Sequence, residues 1–530
     1  MTDLDFKSSF SEVARLVNAA AAGASAEDPI ALTDAQDRFA FAARVFRSSR
    51  DMRVIDVADT IEPSAEATAT LQDVGVDYDT LKSFFHTQVE QGRSKLPCQP
   101  YMYDLCKTGS LSIPSFLTGE TISASGSFFY ILEERGGARL FYHFCDRKPY
   151  VLVPGVFSGF FVGVYFFEDN VYVNWSSVYS RKNSLDDLNV LRALIATYPE
   201  KVARYLSGSP KPPAVIFASL NHIGHTALQE YEPFHFLAEQ GAFATMDTMF
   251  VGPSGFFEAE RLFPELAGLD AVGFETMHEA FLCSIESERL AFRPALGDFS
   301  FSAALAARFQ TMLSAPDVVD AARQVKPIPG APTVWFEVRT NDRFWTNQVE
   351  GVAAIANRLA ETYPGLQIVT AGWSKPLAGQ VKDYDLKMIE QDRQVAEDIK
   401  SLLDDGIAFT DVTGWSPTEK AAAAISIDLY VAVYSSGIIF TSCIAQKPGV
   451  IFGSNYYLRS KERMQYFDGR WAYCDFPANV QFVSSGKVED IKVGQVKSYW
   501  NFEVDWTDVY DSIVLALNAK RVEAAALTEA

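Results

Sequence analysis

The stretch Ile427-Asp-Leu-Tyr-Val-Ala-Val433 is followed at once by Tyr434-Ser-Ser-Gly437 and then by a second apolar run. Seven residues that are nearly all apolar and rich in β-formers are typical of a strand that is covered on both faces of a sheet. The small polar residues that follow are typical of a turn and of the start of a helix. The stretch therefore predicts a strand, a turn and a helix, the repeating unit of an α/β protein.

The same alternation continues on both sides of this stretch. Further strands are predicted at residues 333–338, 366–370, 407–412 and 450–452, and helices at residues 347–361, 388–403, 417–424 and 438–445. Strands that alternate with helices in this way predict a parallel, doubly wound sheet. We therefore expect a Rossmann-like domain over residues 333–500.

Two arginines follow the first of these strands. Arg339 and Arg343 are expected beyond its carboxyl end, which is where open α/β sheets bind anionic ligands. They are candidates for binding the diphosphate of a nucleotide. The alternative is a pair of surface arginines that form salt bridges with acids such as Asp342.

The turn after the strand at residues 427–433 is a second candidate for phosphate binding. Ser435, Ser436 and Gly437 bring hydroxyl and backbone N–H groups to the start of a predicted helix. The alternative is an ordinary N-cap by one of the serines, which requires the same residue types without any ligand.

A second strand and turn lie earlier in the chain. Ala214-Val-Ile-Phe-Ala-Ser-Leu220 is followed by Asn221-His-Ile-Gly-His225 and by a helical pattern. Histidine has the unperturbed pKa nearest to neutrality, so this turn can supply a general base that deprotonates a hydroxyl. His225 is the first candidate, His222 the second, and Glu230 an acidic substitute. The alternative is a packed turn whose histidines cap the helix.

Proline-rich segments divide the chain. Residues 207–213 and 325–332 read as linkers, and the segment before them changes from helical spacing to a hairpin pattern with Gly136-Gly137 at its turn. The predicted organisation is a helical N-terminal region at 1–110, a β-rich accessory segment at 111–206, a first Rossmann-like domain at 214–325, a second at 333–500, and a C-terminal helix at 501–530 that packs on the first domain.

Composition narrows the class of protein. The 530 residues carry 46 Lys and Arg against 67 Asp and Glu, a formal charge of -21 that disfavours nucleic acid as a partner. Six cysteines without a Cys-x-x-Cys pair indicate neither a zinc site nor a disulfide framework. The amino terminus lacks the pattern of a signal peptide, so a cytoplasmic location is expected. Residues 150–167 carry no charge, but their glycines and proline favour two buried strands over a membrane span.

Several motifs together resemble a known family. Asp411-Val-Thr-Gly-Trp-Ser416, Glu419-Lys420, Ser435-Ser-Gly437 and Gln446-Lys-Pro-Gly-Val450 resemble the nucleotide-sugar half of two-Rossmann-domain glycosyltransferases of GT-B type. Heptosyltransferase-like enzymes and bacterial relatives of the xylosyl and N-acetylglucosaminyl transferases are most similar. The resemblance covers about residues 214–500 and implies an α/β fold of two facing Rossmann-like domains, preceded by the helical and β-rich accessory region.

The resemblance implies a bacterial enzyme of polysaccharide or protein glycosylation. It would move a sugar from a nucleotide-sugar donor to a hydroxyl of a glycan, lipid-linked or protein acceptor, with inversion and with no metal or other cofactor. Glu419 joins the arginines and the Ser435–Gly437 turn as an implied nucleotide-binding residue. Contact with the inner face of a membrane is left open.

Three other functions stay open on the sequence. His222-Ile-Gly-His225 also resembles the turn with which nucleotidyltransferases bind the phosphates of ATP. A metal site formed by His222, His225, His235, His278 and Glu279 matches no standard ligand spacing. A protein of the same fold that binds a nucleotide or glycan without catalysis is the third alternative.

Overall fold

The computed structural model describes residues 52–57, 63–93, 98–132, 137–155, 160–175, 178–207, 210–220, 222–253, 255–295, 301–318, 324–376, 381–464, 480–495 and 497–529. The described residues divide into two compact units, one drawn from Met1–Pro253 and Glu265–Asp298 and the other from Ser254–Pro264 and Phe299–Ala530. The expected α/β class is confirmed by two parallel sheets, one in each unit. The first 51 residues of the N-terminal region predicted to be helical lie outside the described residues.

The first unit begins with an antiparallel sheet. The order of its strands is β1-β8-β7-β6-β5-β4, with β1 alone paired in parallel. The strands are β1 (Arg53–Asp56), β4 (Gly126–Ile131), β5 (Ala138–Cys145), β6 (Pro149–Pro154), β7 (Phe161–Phe166) and β8 (Val171–Asn174), and a separate pair comprises β2 (Ser112–Pro114) and β3 (Thr121–Ser123). The hairpin predicted around Gly137 is confirmed as β4 and β5, and β1 adds a strand from the region predicted to be helical.

The described residues of the uncharged segment 150–167 include two strands, as predicted. β6 and β7 pair antiparallel and are almost entirely buried, and Val151, Val153 and Tyr165 belong to a core that the sheet shares with helices of the first unit. These helices include Val178–Thr197 and Met277–Glu286. Within the described residues, no helix is both long enough and apolar enough to cross a membrane.

The first parallel sheet also belongs to the first unit. Its strands are β9 (Pro213–Phe217), β10 (Thr248–Val251), β11 (Asp270–Gly273) and β12 (Leu290–Phe292), in the order β11-β10-β9-β12. β9 lies between β10 and β12. The chain continues from β9 to β10 and β11 on one side, and then crosses back to β12 on the other side. Such a reversal creates a crevice at the carboxyl ends of the two central strands.

The second unit contains the larger parallel sheet. Its strands are β13 (Thr333–Glu337), β14 (Gln367–Ala371), β15 (Ala408–Asp411), β16 (Leu429–Val433), β17 (Gly449–Phe452) and β18 (Val480–Phe482), in the order β15-β14-β13-β16-β17-β18. This is the order of a doubly wound dinucleotide-binding sheet, with its reversal between β13 and β16. All five residues of β16 are buried, as the apolar run predicts.

Helices cover the two parallel sheets and their flanks. The remaining helices are Ala65–Val74, Tyr78–Arg93, Pro100–Thr108, Pro199–Ser207, Ile223–His225, Tyr231–Glu239, Ala259–Leu262, Ala303–Leu313, Gln348–Thr362, Asp383–Ser401, Pro417–Ile425, Asn455–Met464 and Trp506–Glu529. Two π-helices, Thr226–Glu230 and Ile439–Ile444, each follow the turn after a central strand, β9 or β16. A hairpin of β19 (Val488–Ile491) and β20 (Asn501–Val504) precedes the last helix.

The C-terminal helix packs on its own unit. Val509, Ile513 and Leu517 belong to the core of the second parallel sheet, together with Phe336 and Val431 of its central strands. The expectation that this helix packs on the first α/β domain is wrong, because its buried face is used by the second sheet. The predicted domain boundaries themselves stay a prediction.

Candidate active site at the carboxyl edges of the two parallel sheets

The reversal of the second sheet brings two polar residues together. Glu337 is the last residue of β13 and Ser435 follows β16, and the Ser435 hydroxyl donates a hydrogen bond of 2.5 Å to Glu337 Oε1. The Gly437 N–H donates in turn to Ser435 Oγ at 3.0 Å. The predicted Ser435–Gly437 turn thus lies in the crevice where open α/β sheets bind ligands.

A carboxylate already occupies this turn. A Cβ atom at Gly437 would lie 2.1 Å from Glu337 Oε1, so only glycine allows the close approach. Glu337 Oε2 is shielded from solvent and accepts no hydrogen bond from the residues that the structure describes. Burial raises the pKa of Glu337, and Arg339, Ser435 and Lys420 lower it in part. A phosphate group bound at this turn would therefore lie near the buried carboxyl group of Glu337 and the three groups that lower its pKa.

The helix after the turn differs from the predicted one. A six-residue π-helix replaces the predicted α-helix at 438–445, and the Gly437 N–H is already bonded within the turn. A short π-helix aligns few peptide dipoles, so it offers an anion less than a long α-helix does. π-Helical segments often mark functional sites.

The two predicted arginines share one acid. Arg339 Nη2 lies 2.6 Å and Arg343 Nε 3.4 Å from Asp342 Oδ1, and Arg343 Nη1 donates to Tyr457 Oη at 3.2 Å. Burial raises the pKa of Asp342, but the two guanidiniums more than offset this and leave it below its usual value. The salt-bridge alternative is thus observed, and two guanidiniums on one carboxylate still carry a net positive charge.

A buried lysine lies close enough to Glu337 to affect its charge. Lys420 is 1% exposed and donates to the carbonyl of Gly372, which follows β14. Burial lowers its pKa to about 8, although Asp392, Asp411 and Glu337 raise it. Sequence reasoning did not place Glu337 or Lys420 in the site, although a glutamate that ends an apolar strand was a signal for the first.

Glu419 and Ser436 differ in what holds them. Glu419 Oε2 accepts from the Ser416 N–H and hydroxyl, both at 2.8 Å, and the pair forms a capping box at the start of the helix Pro417–Ile425. Ser436 is half-buried beside Ser435, and its carbonyl accepts from the Ile439 N–H at 3.2 Å. The Glu419 carboxylate is therefore engaged in the fold, and Ser436 lies at the turn.

The histidine turn lies at the carboxyl edge of the first sheet. His222 caps the short helix Ile223–His225, and its Nδ1 accepts from the Gly224 N–H at 3.2 Å. His225 Nδ1 lies 2.6 Å from Gln229 Oε1, and the two imidazole rings are 5.1 Å apart. Asn221, the first residue of the predicted turn, lies outside the described residues.

These hydrogen bonds assign different tautomers to the two rings. Gln229 Oε1 can only accept, so His225 carries its proton on Nδ1 and its basic nitrogen is Nε2. His222 uses the lone pair of Nδ1, so the neutral ring carries its proton on Nε2 and is a donor there. Burial lowers the pKa of His225, which keeps the ring neutral near pH 7. Of the two histidines, His225 has the chemistry of a general base.

Glu230 lies inside the first crevice. It is fully buried, and its two oxygens accept from the Ser219 N–H at 3.2 Å and the Ser219 hydroxyl at 3.3 Å. Burial raises its pKa to about 7, although Ser219 and the buried Arg293 lower it. Arg293 follows β12 and donates to the carbonyl of Ala138, whose N–H donates to Ser219 O. Glu230 thus stabilises the segment before the histidine turn through its hydrogen bonds with Ser219.

The histidine cluster considered for a metal does not converge. Among the described residues, no group of three or more His, Cys, Asp or Glu side chains is placed to bind a metal ion. His278 Nδ1 lies 2.9 Å from Tyr198 Oη, and Glu279 forms a capping box with Thr276. Both residues are thus engaged away from the histidine turn.

Comparisons with known proteins name glycosyltransferases. No protein-family model and no curated protein sequence matches the chain. The structure is similar to that of ADP-heptose LPS heptosyltransferase II from E. coli, with 10% identity and a TM-score of 0.31 over 58% of this chain and 99% of that chain. It is also similar to a family 9 glycosyl transferase from Veillonella parvula, with 10% identity and a TM-score of 0.25 over 57% of this chain and 79% of that chain.

A third solved structure extends over most of the chain. It is a TarM mutant from S. aureus in complex with fondaparinux, alpha-GlcNAc-glycerol and UDP, with 11% identity and a TM-score of 0.18 over 90% of each chain. The resemblance stated from the sequence and the solved structures found by comparison name the same class of protein. The chain is similar to solved glycosyltransferases. TM-scores of 0.31 or less define neither its donor nor its acceptor.

Proposed function

We propose that the protein is a glycosyltransferase of GT-B type whose nucleotide-sugar donor binds at the carboxyl edge of the second parallel sheet. The observation that carries the proposal is the reversal between β13 and β16, where Glu337, Ser435 and the arginine pair converge in a doubly wound order. Fixed cations at such a crevice suit the diphosphate of a nucleotide sugar.

In this proposal the arginines act on the leaving group. As the bond from the anomeric carbon to the diphosphate breaks, the diphosphate departs with the electron pair, and Arg339 and Arg343 stabilise its charge. Two guanidiniums already fixed by Asp342 need little reorganisation to do so. This supports a transfer in which protein cations do what a divalent metal ion does elsewhere.

The first parallel sheet would supply the base. His225 Nε2 would accept the proton of the acceptor hydroxyl while the acceptor oxygen bonds to the anomeric carbon on the face opposite the departing diphosphate, with inversion. The Nδ1–H donation to Gln229 supports this role because it makes Nε2 the basic nitrogen. His222 and Glu230 would then position the turn. Each unit would supply one of the two Rossmann-like domains of the fold.

The partners follow from the same proposal. They are a nucleotide sugar and a hydroxyl-bearing glycan, lipid-linked or protein acceptor, and the enzyme would act in the cytoplasm or at the inner face of a membrane. The TarM structure holds UDP and glycan-like molecules, so UDP is a reasonable first nucleotide to test.

The test is calorimetry with nucleoside diphosphates and nucleotide sugars in EDTA. We expect saturable binding of at least one nucleotide, and Arg343→Gln should weaken it roughly tenfold through the loss of a charge-assisted hydrogen bond. Arg358→Gln is the matched control, because Arg358 is an exposed arginine of the same unit that pairs with Glu361.

Two results would replace the proposal. Binding of ATP with release of pyrophosphate would indicate a nucleotidyltransferase that uses the His222–His225 turn. Failure of every nucleotide and nucleotide sugar would indicate a protein that binds other ligands, and would remove the donor site from the second sheet.

A further inference from the structure

A polar cavity lies at the amino edge of the first parallel sheet. Its volume is about 200 Å³, and its lining comes from the segment before β9 and from the turn between the helix Met277–Glu286 and β12. The Leu290 N–H donates to Pro212 O at 2.9 Å, where the two strands begin. The histidine turn leaves the other edge of this sheet, so the cavity is separate from the candidate active site.

Lys211 lines this cavity with an ammonium group that has no acceptor. The residue is 8% exposed, and its Nζ lies 4.5 Å from the centre of the Tyr205 ring. It makes no hydrogen bond and no close ion pair with any residue that the structure describes. An ammonium group carries three donors, and none of those of Lys211 is used within the described part of the chain. A ligand oxygen in the cavity could therefore accept a charge-assisted hydrogen bond from it.

The facing turn contributes a second unsatisfied group. Ser287 Oγ is buried and has no hydrogen-bond partner within the described part of the chain. Arg289 lines the same cavity, and its Nη2 donates to Asp247 at 2.9 Å. Glu288 is exposed and acts on Lys211 only through its charge, because no ion pair joins them. The cavity lining therefore combines one ammonium group, one guanidinium and one hydroxyl with a single carboxylate, that of Glu288.

We propose that this cavity binds a small oxyanion, with Lys211 and Ser287 as its hydrogen-bonding partners. The volume is many times the 10–15 Å³ or so that one water requires, and it is below the roughly 300 Å³ at which pockets for drug-sized ligands begin. A phosphate group or a short carboxylic acid fits these limits. The two share the chemistry of oxygen acceptors with negative charge, and binding experiments distinguish them.

Calorimetry with inorganic phosphate and, separately, with malonate tests this site. At least one of the two should bind the full-length protein saturably, and Lys211→Met should weaken that binding tenfold or more because it removes the charged donor. Lys107→Met is the matched control: Lys107 is an exposed lysine of the same unit, 4.3 Å from the centre of the Tyr103 ring. Its affinity should equal that of the unchanged protein.

Phosphate that binds at the arginines of the second sheet must be distinguished from phosphate that binds in this cavity. Phosphate bound at the arginines of the second sheet would survive Lys211→Met and be weakened by Arg343→Gln, whereas phosphate in the cavity would show the opposite dependence. The two variants thus distinguish a failure here from a failure of the proposed glycosyltransferase. Ser287→Ala provides a further variant if Lys211→Met does not fold, and should weaken the same anion severalfold.

A chemical readout checks the lysine directly. Lys211 should react with acetic anhydride in the unliganded protein, and the anion that binds should protect it, as peptide mass spectrometry would show. No saturable binding of either anion to the unchanged protein would overturn the proposal. Equal affinities in the unchanged protein and in both Lys211→Met and Ser287→Ala would overturn it as well.

Discussion

The two parallel sheets have the same central topology but use their crevices differently. In each, a serine that follows one central strand bonds to a glutamate: Ser219 to Glu230 in the first sheet and Ser435 to Glu337 in the second. In the first crevice both carboxylate oxygens accept hydrogen bonds from Ser219, whose carbonyl accepts from the Ala138 N–H of β5. In the second, one carboxylate oxygen accepts none from the described residues.

The difference shows that topology creates a crevice but does not make it a binding site. In the first crevice the glutamate is fully buried and both of its oxygens bond to Ser219, so it stabilises the segment that leads into the histidine turn. The second has Arg339, Arg343 and Lys420 around a partly satisfied acid. An anionic ligand is therefore expected at the second sheet, and proton transfer is expected at the histidine turn of the first sheet.

The largest expected effect tests the histidine turn of the first sheet. His225→Ala should lower turnover about a hundredfold to ten-thousandfold, the usual contribution of a general base, and leave nucleotide affinity unchanged. His222→Ala is the control and should cost much less, because the His222 ring presents a donor at Nε2. Rates and affinities measured in parallel check this, and an equal loss of affinity would move the nucleotide to the first sheet.

The pH profile sharpens the same prediction. Burial lowers the pKa of His225, so the ring stays neutral and basic to a pH below the usual value of 6.5 for histidine. Turnover should therefore persist through pH 6.5 and fall only at lower pH. The hydrogen bond to Gln229 raises the pKa of His225, so Gln229→Leu should lower that pKa and move the fall in turnover to lower pH, whereas a loss of packing around the ring would move it to higher pH.

The second prediction concerns the first crevice. The pKa of Glu230 is raised from 4.5 to about 7, so its contribution to stability is complete below pH 4.5 and is lost as the pH rises to about 7. Glu230→Gln keeps the acceptor for Ser219 without this titration. The free energy of opening of the variant, relative to that of the unchanged protein, should thus increase by about 3 kcal/mol between pH 4.5 and pH 8.

Hydrogen exchange in β9 is the suitable measurement, because the two compact units need not unfold together. Protein and variant are compared at the same pH, so the intrinsic pH dependence of exchange cancels. Glu239→Gln is the control, since Glu239 is exposed on the helix that follows and contacts His235 at 3.5 Å. A difference between protein and variant that does not change with pH would contradict the prediction.

Sequence reasoning predicted the second sheet well because its strands are buried on both faces and read as apolar runs. The strand order and the meeting of Glu337 with Ser435 could not be predicted in the same way, because the residues lie 98 positions apart and meet only when the sheet forms. For the arginine pair the sequence left two alternatives open, diphosphate binding and salt bridges with a neighbouring acid. The structure shows salt bridges with Asp342, and the two guanidiniums still leave the net positive charge that diphosphate binding needs.

The first sheet was harder to predict for a related reason. Its histidine turn was identified, but hydrogen bonds decide which ring is a base, and Gln229 was not singled out. Glu230 was considered as an acidic substitute for the histidines in the role of general base. It lies fully buried in a π-helix and accepts hydrogen bonds from Ser219, and neither feature is visible in local sequence.

The third prediction tests the charge of the second crevice. Asp342→Asn removes the acid that the two guanidiniums share, so nucleotide affinity should increase severalfold by calorimetry, the reverse of the effect of Arg343→Gln. The increase should decline at high salt because the arginines are partly exposed to solvent. Glu361→Gln, which unpairs the exposed Arg358, should leave affinity unchanged. Weaker binding in Asp342→Asn would show that the salt bridges position the arginines rather than neutralise them.

The smallest effect is expected at Glu419, which lies in the second unit but is engaged in a cap. A capping box accepts glutamine in place of glutamate, so Glu419→Gln should change neither stability nor nucleotide affinity measurably. Glu419→Ala should destabilise the helix Pro417–Ile425 by about 1 kcal/mol and still leave affinity within about twofold, since the cap is local. Calorimetry and thermal melting of the two variants separate the roles. If Glu419→Gln weakened nucleotide binding tenfold while its melting temperature stayed constant, Glu419 would be a nucleotide ligand, and the polar part of the second crevice would extend to the helix that it caps.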